Sequence, residues 1–192
     1  MVNKNILILG SNGLVGSSCK RILESNPSYN IVSSTRKDTD LFSFGDTKKL
    51  ITTVDPDILI IAAARVGGIH ANNTNRVEFL LENLKINMNI LESCIDNNSI
   101  KIINLGSSCI YPLNAPNPIN EDAIMTGTLE PTNSPYSMAK LTAIEMGRSL
   151  SSQYGHSVIN LMPTNLYGPN DNFSEMDSHV IPALIHRMHK AK

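Results

Sequence analysis

The feature that most constrains this chain is a glycine-rich turn that joins a short apolar run to an amphipathic helical pattern. Residues 5–9 are apolar after the first, and Gly10, Gly13 and Gly16 follow. Residues 14–24 then carry apolar side chains with the spacing of one helix face. A short apolar strand that turns directly into a helix is typical of α/β proteins, so this stretch predicts the first β–α unit of such a fold.

The rest of the chain alternates strand and helix patterns in the same way. Further strands are predicted at residues 29–35, 57–62, 101–105 and 157–162, and further helices at 47–53, 77–96, 135–153 and 180–190. The first and third strands are nearly continuously apolar, which is typical of parallel strands covered on both faces. This order predicts an α/β fold with a doubly wound parallel sheet. The helix at 77–96 is apolar around most of its circumference, so we expect it to contact both the sheet and a partner subunit.

Composition and charge exclude several other classes of protein. The chain has 192 residues, enough for one domain with a buried core, and its 41% hydrophobic and 17% charged residues exclude disorder. Lys and Arg number 16 against 17 Asp and Glu, so no basic excess favours nucleic-acid binding. The longest apolar run, residues 58–64, is far shorter than the ~20 residues that span a bilayer, and the N-terminus lacks a signal-peptide pattern. We therefore expect a cytoplasmic protein without a nucleic-acid or membrane partner.

No metal site and no disulfide are expected. The three cysteines include no CxxC pair and make no even-numbered framework. The three histidines between residues 179 and 189 have a helical spacing, but no carboxylate pattern lies near them.

The glycine turn predicts a dinucleotide site. Gly10 permits the tight turn, Gly13 allows the backbone close to a pyrophosphate, and Gly16 lets the helix pack on the strand. The N-terminus of that helix then faces the anion. The spacing is GxxGxxG rather than the standard GxGxxG, so a plain turn with a helix–strand contact remains the alternative.

The end of the second strand favours NADP over NAD. NAD sites use an acidic residue there to bind the ribose hydroxyls, whereas this strand runs into Thr35-Arg36-Lys37, with Asp38 and Asp40 beyond it. A guanidinium can bind a 2′-phosphate through two charge-assisted hydrogen bonds. The alternative is that the two basic residues are simply solvated.

A proline-rich segment without periodicity, residues 107–134, follows the fourth strand and leads into the next helix. Ser107 lies at its start, and Tyr136 and Lys140 lie four residues apart on one face of that helix. These three residues could act together on a carbonyl. Ser would bind the oxygen, Tyr would exchange a proton with it, and Lys would lower the pKa of Tyr by its charge. A Tyr–Lys pair alone arises often by chance.

These features resemble the extended short-chain dehydrogenase/reductases, which have an NAD(P)-binding Rossmann fold. Four strings narrow the resemblance to the GDP-L-fucose synthases, namely AAARVGGI at 62–69, GSSCIYP at 106–112, LEPTN at 129–133 and MPTNLYGPNDNF at 162–173. The resemblance implies an NADPH-dependent enzyme. Such an enzyme epimerises GDP-4-keto-6-deoxy-D-mannose at C3 and C5 and then reduces the C4 ketone to give GDP-L-fucose.

The resemblance also implies site residues. Ser107, Tyr136 and Lys140 match the reductive triad, Cys109 matches the base that removes protons next to the ketone, and His179 matches the acid. The implied cofactor positions are Gly10, Ser11, Asn12, Gly13, Leu14, Val15, Gly16, Arg36, Asp40, Leu41, Ala62, Ala63, Ala64, Leu105, Gly106, Ser107, Ser108, Tyr136, Lys140, Pro163, Thr164, Asn165, Leu166 and His179. Ser108, Asn165 and Arg187 match positions near the sugar nucleotide. The family usually has a basic residue in place of Asn12, so we expect weaker binding of NADP.

Fucose synthases continue beyond the position of Lys192 into a smaller C-terminal domain. We therefore expect residues 1–178 to form the NADP-binding domain and residues 179–192 to begin a truncated substrate-domain region. A homodimer is expected, and a separate chain could supply the missing domain. Two alternatives remain, namely another NAD(P)-dependent sugar-nucleotide epimerase or dehydratase, and a truncated NADPH-binding module without activity. Dehydratases carry an acidic pair where this chain has Ser108-Cys109-Ile110, which argues against that class.

Overall fold

A parallel sheet forms the centre of the computed structural model, which describes residues 3–174 and 177–191. Within these residues the five strands are β1 (Lys4–Leu9), β2 (Tyr29–Ser34), β3 (Ile58–Ile61), β4 (Lys101–Leu105) and β5 (Ser157–Leu161). They lie in the order β2-β1-β3-β4-β5, and every neighbouring pair is parallel. The α/β class and the parallel sheet predicted from the sequence are confirmed.

The helices are α1 (Leu14–Leu23), α2 (Phe44–Val54), α3 (Ile69–Thr74), α4 (Arg76–Ser93), α5 (Ser134–Tyr154) and α6 (Val180–Lys190). Three helices differ from the sequence-based expectation, and one of them, α4, ends at Ser93 rather than at Asp96. Helix α2 begins three residues earlier than predicted because the Ser43 hydroxyl caps it, accepting a hydrogen bond from the Asp46 N–H at 3.2 Å. Helix α3 was not predicted, because six residues are too few to show a helical period. The proline-rich segment contains only two 3₁₀ turns, Ser108–Ile110 and Glu121–Ala123.

The two faces of the sheet are covered by different helices. Helices α2, α4 and α5 cover one face, where Leu7, Leu59 and Ile102 are fully buried. Helix α1 covers the other face through Cys19 and Leu23. The first and third strands are therefore enclosed on both sides, as their continuous apolar character predicts. On the α1 side of β5, Ile159 and Leu161 remain about half exposed.

The chain reverses direction across the sheet between β1 and β3. It leaves β1 for β2 at one edge and then returns to β3 on the opposite side of β1. Open α/β sheets bind ligands at the carboxyl ends of the strands at such a reversal, so the order of the strands marks one place for a site. The outward residues Val77, Leu81 and Met88 of α4 are exposed, and the predicted subunit contact there stays a prediction. None of the described helices combines the length and the apolar character that a membrane span requires.

Candidate active site

A cavity of about 310 Å³ opens at the carboxyl ends of β1 and β3, where the order of the strands reverses. Its lining comes from the segments after β1, β2 and β3 and from one residue of α4. The lining residues are Gly10, Asn12, Gly13, Thr35, Arg36, Thr39, Asp40, Leu41, Phe42, Ala62, Ala63, Ala64 and Ile86. The structure thus brings together predicted cofactor positions from the segments after the first three strands, which lie between residues 10 and 64 of the chain.

Two glycines let the backbone segments of this cavity touch. Gly10 has a φ of +79°, and a Cβ there would lie 2.7 Å from Ala63 Cα in the segment after β3. A Cβ on Gly16 would lie only 2.2 Å from the Gly10 carbonyl oxygen. Side chains at either position would force α1 or β3 away from the turn. The predicted roles of these two glycines in the turn and in helix–strand packing agree with this geometry.

The start of α1 is suited to an anion. Gly13 is the N-cap residue and no side chain caps the helix, so no side-chain acceptor satisfies its first N–H groups. The other predicted cofactor residues of the glycine turn lie in the same β1–α1 segment. Ser11 is buried, and its hydroxyl donates to the Ser34 carbonyl at 3.2 Å, which joins the turn to β2. Leu14 and Val15 are half-buried in the first turn of α1.

A second group of side chains gathers where β4 ends. The Ser107 hydroxyl accepts a hydrogen bond from the Cys109 N–H at 3.3 Å, in the 3₁₀ turn that follows the strand. The Gly106 N–H donates to the Leu161 carbonyl at 2.8 Å, and the Ser108 N–H donates to the Pro163 carbonyl at 3.1 Å. The segments after β4 and β5 therefore run side by side. The next predicted positions, Thr164 to Leu166, are exposed and do not line the cavity.

Helix α5 brings Tyr136 and Lys140 to the same edge. Lys140 is 3% exposed, and its Nζ donates to the Leu105 carbonyl at 2.7 Å, so it connects α5 to the last residue of β4. The same Nζ lies 5.7 Å from the centroid of the Tyr136 ring. The Phe79 and Tyr136 rings make a T-shaped contact with their centroids 6.3 Å apart. Ser107, Tyr136 and Lys140 thus converge as predicted from their positions in the sequence.

The ionisation of this group differs from the expectation. The pKa of Tyr136 is raised to about 12, mainly by burial and also by its electrostatic interaction with Cys109, while a hydrogen bond with Ser107 acts to lower it. Burial also lowers the pKa of Lys140 to about 8. We expected the Lys140 charge to lower the pKa of Tyr136, but its Nζ is bonded to the Leu105 carbonyl and desolvation of the phenol dominates. Tyr136 is therefore a protonated phenol at neutral pH, able to donate a proton.

Ser137 is a site residue that sequence reasoning missed. Its side chain is fully buried, and its hydroxyl donates to the Cys109 carbonyl at 2.9 Å. It also lies 3.2 Å from Asn133 Oδ1, one helical turn earlier. This contact holds the turn that carries Cys109 against the helix that carries Tyr136. The only signal in the sequence is a small polar residue directly after Tyr136, which many helices have on their surface.

The segment before His179 lies against the turn after β3. The Gly68 N–H donates to the Asp177 carbonyl at 2.9 Å, and a Cβ on Gly68 would lie 2.5 Å from the Ser178 carbonyl oxygen. Gly68 therefore allows the close approach of the residues that precede His179, the N-cap residue of α6. Within residues 3–174 and 177–191, no side-chain hydrogen bond joins His179 to Cys109 or Tyr136. The predicted substrate residue Arg187 lies exposed in the last turn of α6.

The described residues contain no group of three or more His, Cys, Asp or Glu side chains arranged to hold a metal ion. The three cysteines are free thiols, and burial raises the pKa of Cys94 in the core to about 12.

Residues 6–192 match the model of the NAD dependent epimerase/dehydratase family, and the chain belongs to this family. It is 46% identical over 187 residues to GDP-L-fucose synthase 1 of Arabidopsis thaliana, which covers 97% of this chain and 58% of the relative. It is 42% identical over 191 residues to GDP-L-fucose synthase of Escherichia coli strain K12, which covers 100% of this chain and 60% of the relative.

The fold is also similar to solved structures of related proteins. One is a GDP-D-glycero-L-gluco-heptose synthase of Campylobacter jejuni, solved in the presence of NADPH. The TM-score is 0.91 at 33% identity, covering 100% of this chain and 56% of that protein. The chain therefore spans somewhat more than half the length of the relatives it matches.

Proposed function

We propose that this chain carries the cofactor site and the catalytic residues of an NADPH-dependent enzyme that epimerises and reduces a GDP-linked keto sugar. The specific substrate that we propose is GDP-4-keto-6-deoxy-D-mannose, with GDP-L-fucose as the product. The single observation that carries this proposal is the convergence of Ser107, Tyr136 and Lys140 at the carboxyl end of β4, with Cys109 in the same turn as Ser107.

The residues of the cavity fit NADPH. The uncapped start of α1 suits the pyrophosphate, and the close contact of Gly10 with Ala63 excludes side chains from the turn itself. Arg36, which also lines the cavity, suits the 2′-phosphate. The relative from Campylobacter jejuni, solved in the presence of NADPH, supports the same cofactor.

For the reduction, the chain supplies the groups that hold and protonate the ketone oxygen. When bound, NADPH supplies a hydride to the carbonyl carbon. The Ser107 and Tyr136 hydroxyls can both donate hydrogen bonds to the oxygen, and Tyr136 transfers its proton as negative charge develops there. Lys140 holds α5 against the end of β4 and places a positive charge near the phenolate that forms.

For the epimerisation, a base must remove a proton from a carbon next to the ketone, and an acid must return it on the other face. The Cys109 thiolate acts as the base in this proposal, and His179 acts as the acid. The Ser107 and Tyr136 hydroxyls stabilise the intermediate enolate oxygen, so the same two donors serve both reactions. In both reactions, Ser137 holds the turn that carries Cys109 against the helix that carries Tyr136.

The heptose synthase among the relatives supports a second substrate within the same class, a GDP-linked keto heptose. The two substrates can be separated by offering each to the protein with NADPH in D₂O. GDP-L-fucose synthase activity requires loss of absorbance at 340 nm together with deuterium at C3 and C5 of the deoxy sugar. Reduction of the heptose with greater kcat/KM than the deoxy sugar would move the proposal to that substrate, and reduction without deuterium would remove the epimerase step.

Cofactor choice can be tested on the chain as it is. Because the chain contains no Trp, binding can be followed by the fluorescence of NADPH and NADH themselves. Replacing Arg36 with Ala should raise the Kd for NADPH about 10- to 150-fold, because a hydrogen bond between charged groups is lost. The Kd for NADH, which lacks the 2′-phosphate, should change much less. Arg21→Ala, at an exposed position late in α1, is the matched control. Equal losses for both cofactors would contradict the NADPH assignment.

A further inference from the structure

Arg36 and Phe42 form a pair at the wall of the cavity. The Arg36 guanidinium carbon lies 5.7 Å from the centroid of the Phe42 ring, within the range of a cation–π contact. Both residues line the cavity, and Phe42 is 38% exposed. An arginine side chain without such a contact samples many rotamers and loses that freedom when it binds an anion. The ring therefore restricts the guanidinium before any ligand arrives.

The turn that carries Arg36 is held by a carboxylate. Asp38 accepts hydrogen bonds from the Thr35 N–H at 2.8 Å and from the Thr35 hydroxyl at 2.6 Å, and these bonds lower the pKa of Asp38. The Thr35 hydroxyl oxygen in turn accepts a bond from the Lys37 N–H at 3.2 Å. The backbone on both sides of Arg36 is thus fixed. Asp38, the first acidic residue after β2, is already hydrogen-bonded within its own turn.

The second acidic residue after β2 holds the aromatic partner. One carboxylate oxygen of Asp40 accepts the Phe42 N–H at 2.9 Å, and the Asp40 carbonyl accepts the Ser43 N–H at 3.1 Å. In NAD sites an acidic residue in this region binds the ribose hydroxyls. Here both candidate carboxylates are bonded to backbone N–H groups that orient Arg36 and Phe42.

We propose that Phe42 is a positioning residue for the choice of NADPH over NADH, acting by holding the Arg36 guanidinium at the cavity wall for the 2′-phosphate. This inference rests on the proposed function, because it assumes that the cavity binds a nicotinamide dinucleotide. It adds to that function a residue that does not contact the 2′-phosphate itself and acts on it only by positioning Arg36. The ring has no charge of its own, so its contribution to discrimination depends on the arginine it holds.

The chain contains a matched control pair. Lys48 Nζ lies 5.8 Å from the centroid of the Phe44 ring, and Phe44 is 37% exposed. The distance from cation to ring and the exposure of the ring are therefore nearly the same as in the Arg36–Phe42 pair. Phe44 begins α2 and does not line the cavity. A general effect of losing an exposed aromatic ring next to a cation should therefore be the same at Phe44 and at Phe42. An effect on cofactor choice should occur at Phe42 alone.

The test measures the Kd values of NADPH and NADH for the parent, Phe42→Leu, Phe42→Tyr and Phe44→Leu. Phe42→Leu keeps most of the apolar bulk but removes the ring. We expect it to raise the Kd for NADPH about two- to fivefold and to leave that for NADH unchanged. Phe42→Tyr keeps the ring and should retain the parental ratio of the two Kd values, as should Phe44→Leu. In an Arg36→Ala background, Phe42→Leu should have no further effect on the ratio.

Several outcomes would overturn the inference. If Phe42→Leu weakens NADPH and NADH equally, or neither, the ring does not act through the 2′-phosphate. A shift in the ratio that persists in the Arg36→Ala background would show that Phe42 acts independently of Arg36. If the parent binds neither cofactor, the proposed function fails together with the inference, whereas binding without a shifted ratio removes the inference alone. Circular dichroism checks that each variant folds, and Phe42→Met, with the same criterion, replaces Phe42→Leu if that variant does not fold.

Discussion

The cavity at the ends of β1 and β3 and the group of side chains after β4 both lie at the carboxyl edge of the sheet. They differ in the kind of atoms that form them. Around the glycine turn the backbone segments pack closely, because Gly10 and Gly16 permit contacts that a Cβ would block. The edge after β4 is built from buried side chains, and its central residues Ser137 and Lys140 are at most 3% exposed. A backbone surface can bind the common part of many ligands, whereas positioned side chains determine which reaction follows.

This difference predicts two kinds of sensitivity to mutation. Damage to the backbone cavity should reduce both folding stability and cofactor binding, because the same glycine contacts serve both. Damage to the side-chain edge should remove a chemical step while leaving the cofactor bound.

Replacing Tyr136 with Phe should lower the rate of keto-sugar reduction about 10²–10⁴-fold, because it removes the hydroxyl that we propose protonates the ketone oxygen. The affinity for NADPH should change far less. The measurements are NADPH oxidation at 340 nm and cofactor fluorescence. Tyr154→Phe is the control, since Tyr154 ends the same helix and its hydroxyl only accepts a bond from Gln153 at the surface. A Tyr136→Phe protein that reduces the sugar at the parental rate would remove Tyr136 from the mechanism.

Replacing Gly16 with Ala should lower the free energy of unfolding by about 3 kcal/mol, because the new Cβ would overlap the Gly10 carbonyl oxygen. NADPH binding should weaken as well, since the turn must move away from α1. The measurements are urea unfolding and a fluorescence titration. Gly45→Ala is the control, because a Cβ there comes no closer than 4.0 Å to another residue. We expect that variant to be unchanged or up to about 1 kcal/mol more stable. Full NADPH affinity in Gly16→Ala would show that the cavity does not depend on this contact.

The smallest predicted effect concerns pH and Lys140, whose pKa burial lowers to about 8 from an ordinary 10.5. Above pH 8 the unfolded chain binds more protons at this residue than the folded chain. The free energy of unfolding should therefore rise with pH, by at most about 1.4 kcal/mol per unit. Above pH 9 the raised pKa of Cys94 acts in the opposite direction, so the clearest window is pH 8 to 9.

The measurement is urea unfolding at several pH values across that window, for the parent and for Lys140→Met. In Lys140→Met the increase in the free energy of unfolding with pH should be lost. In Lys85→Met, at an exposed position of α4, the increase should remain. Identical slopes in the parent and in Lys140→Met would mean that Lys140 is not held in a desolvated environment.

The elements that the sequence predicted well are those with a local signal. The glycine turn and α1 follow from adjacent residues, and the buried strands follow from their continuous apolar runs. The early start of α2 depends on a hydroxyl cap at Ser43, which can be recognised only once the helix is known to begin there. Helix α3 and the role of Gly68 had no such local signal. Gly68 matters because the segment at residues 177–178 packs against it from more than a hundred residues away.

The sequence by itself determined the class of fold, the position of the glycine turn and the identity of the side chains available for chemistry, because strand, turn and helix preferences act between near neighbours. Only the tertiary structure decided how those side chains meet. The Ser137–Cys109 bond joins residues 28 apart and the Lys140–Leu105 bond joins residues 35 apart. The raised pKa of Tyr136 likewise follows from burial by packed neighbours. Contacts between distant segments, and the loss of water around the groups that they enclose, arise only when the sheet and its helices have packed together.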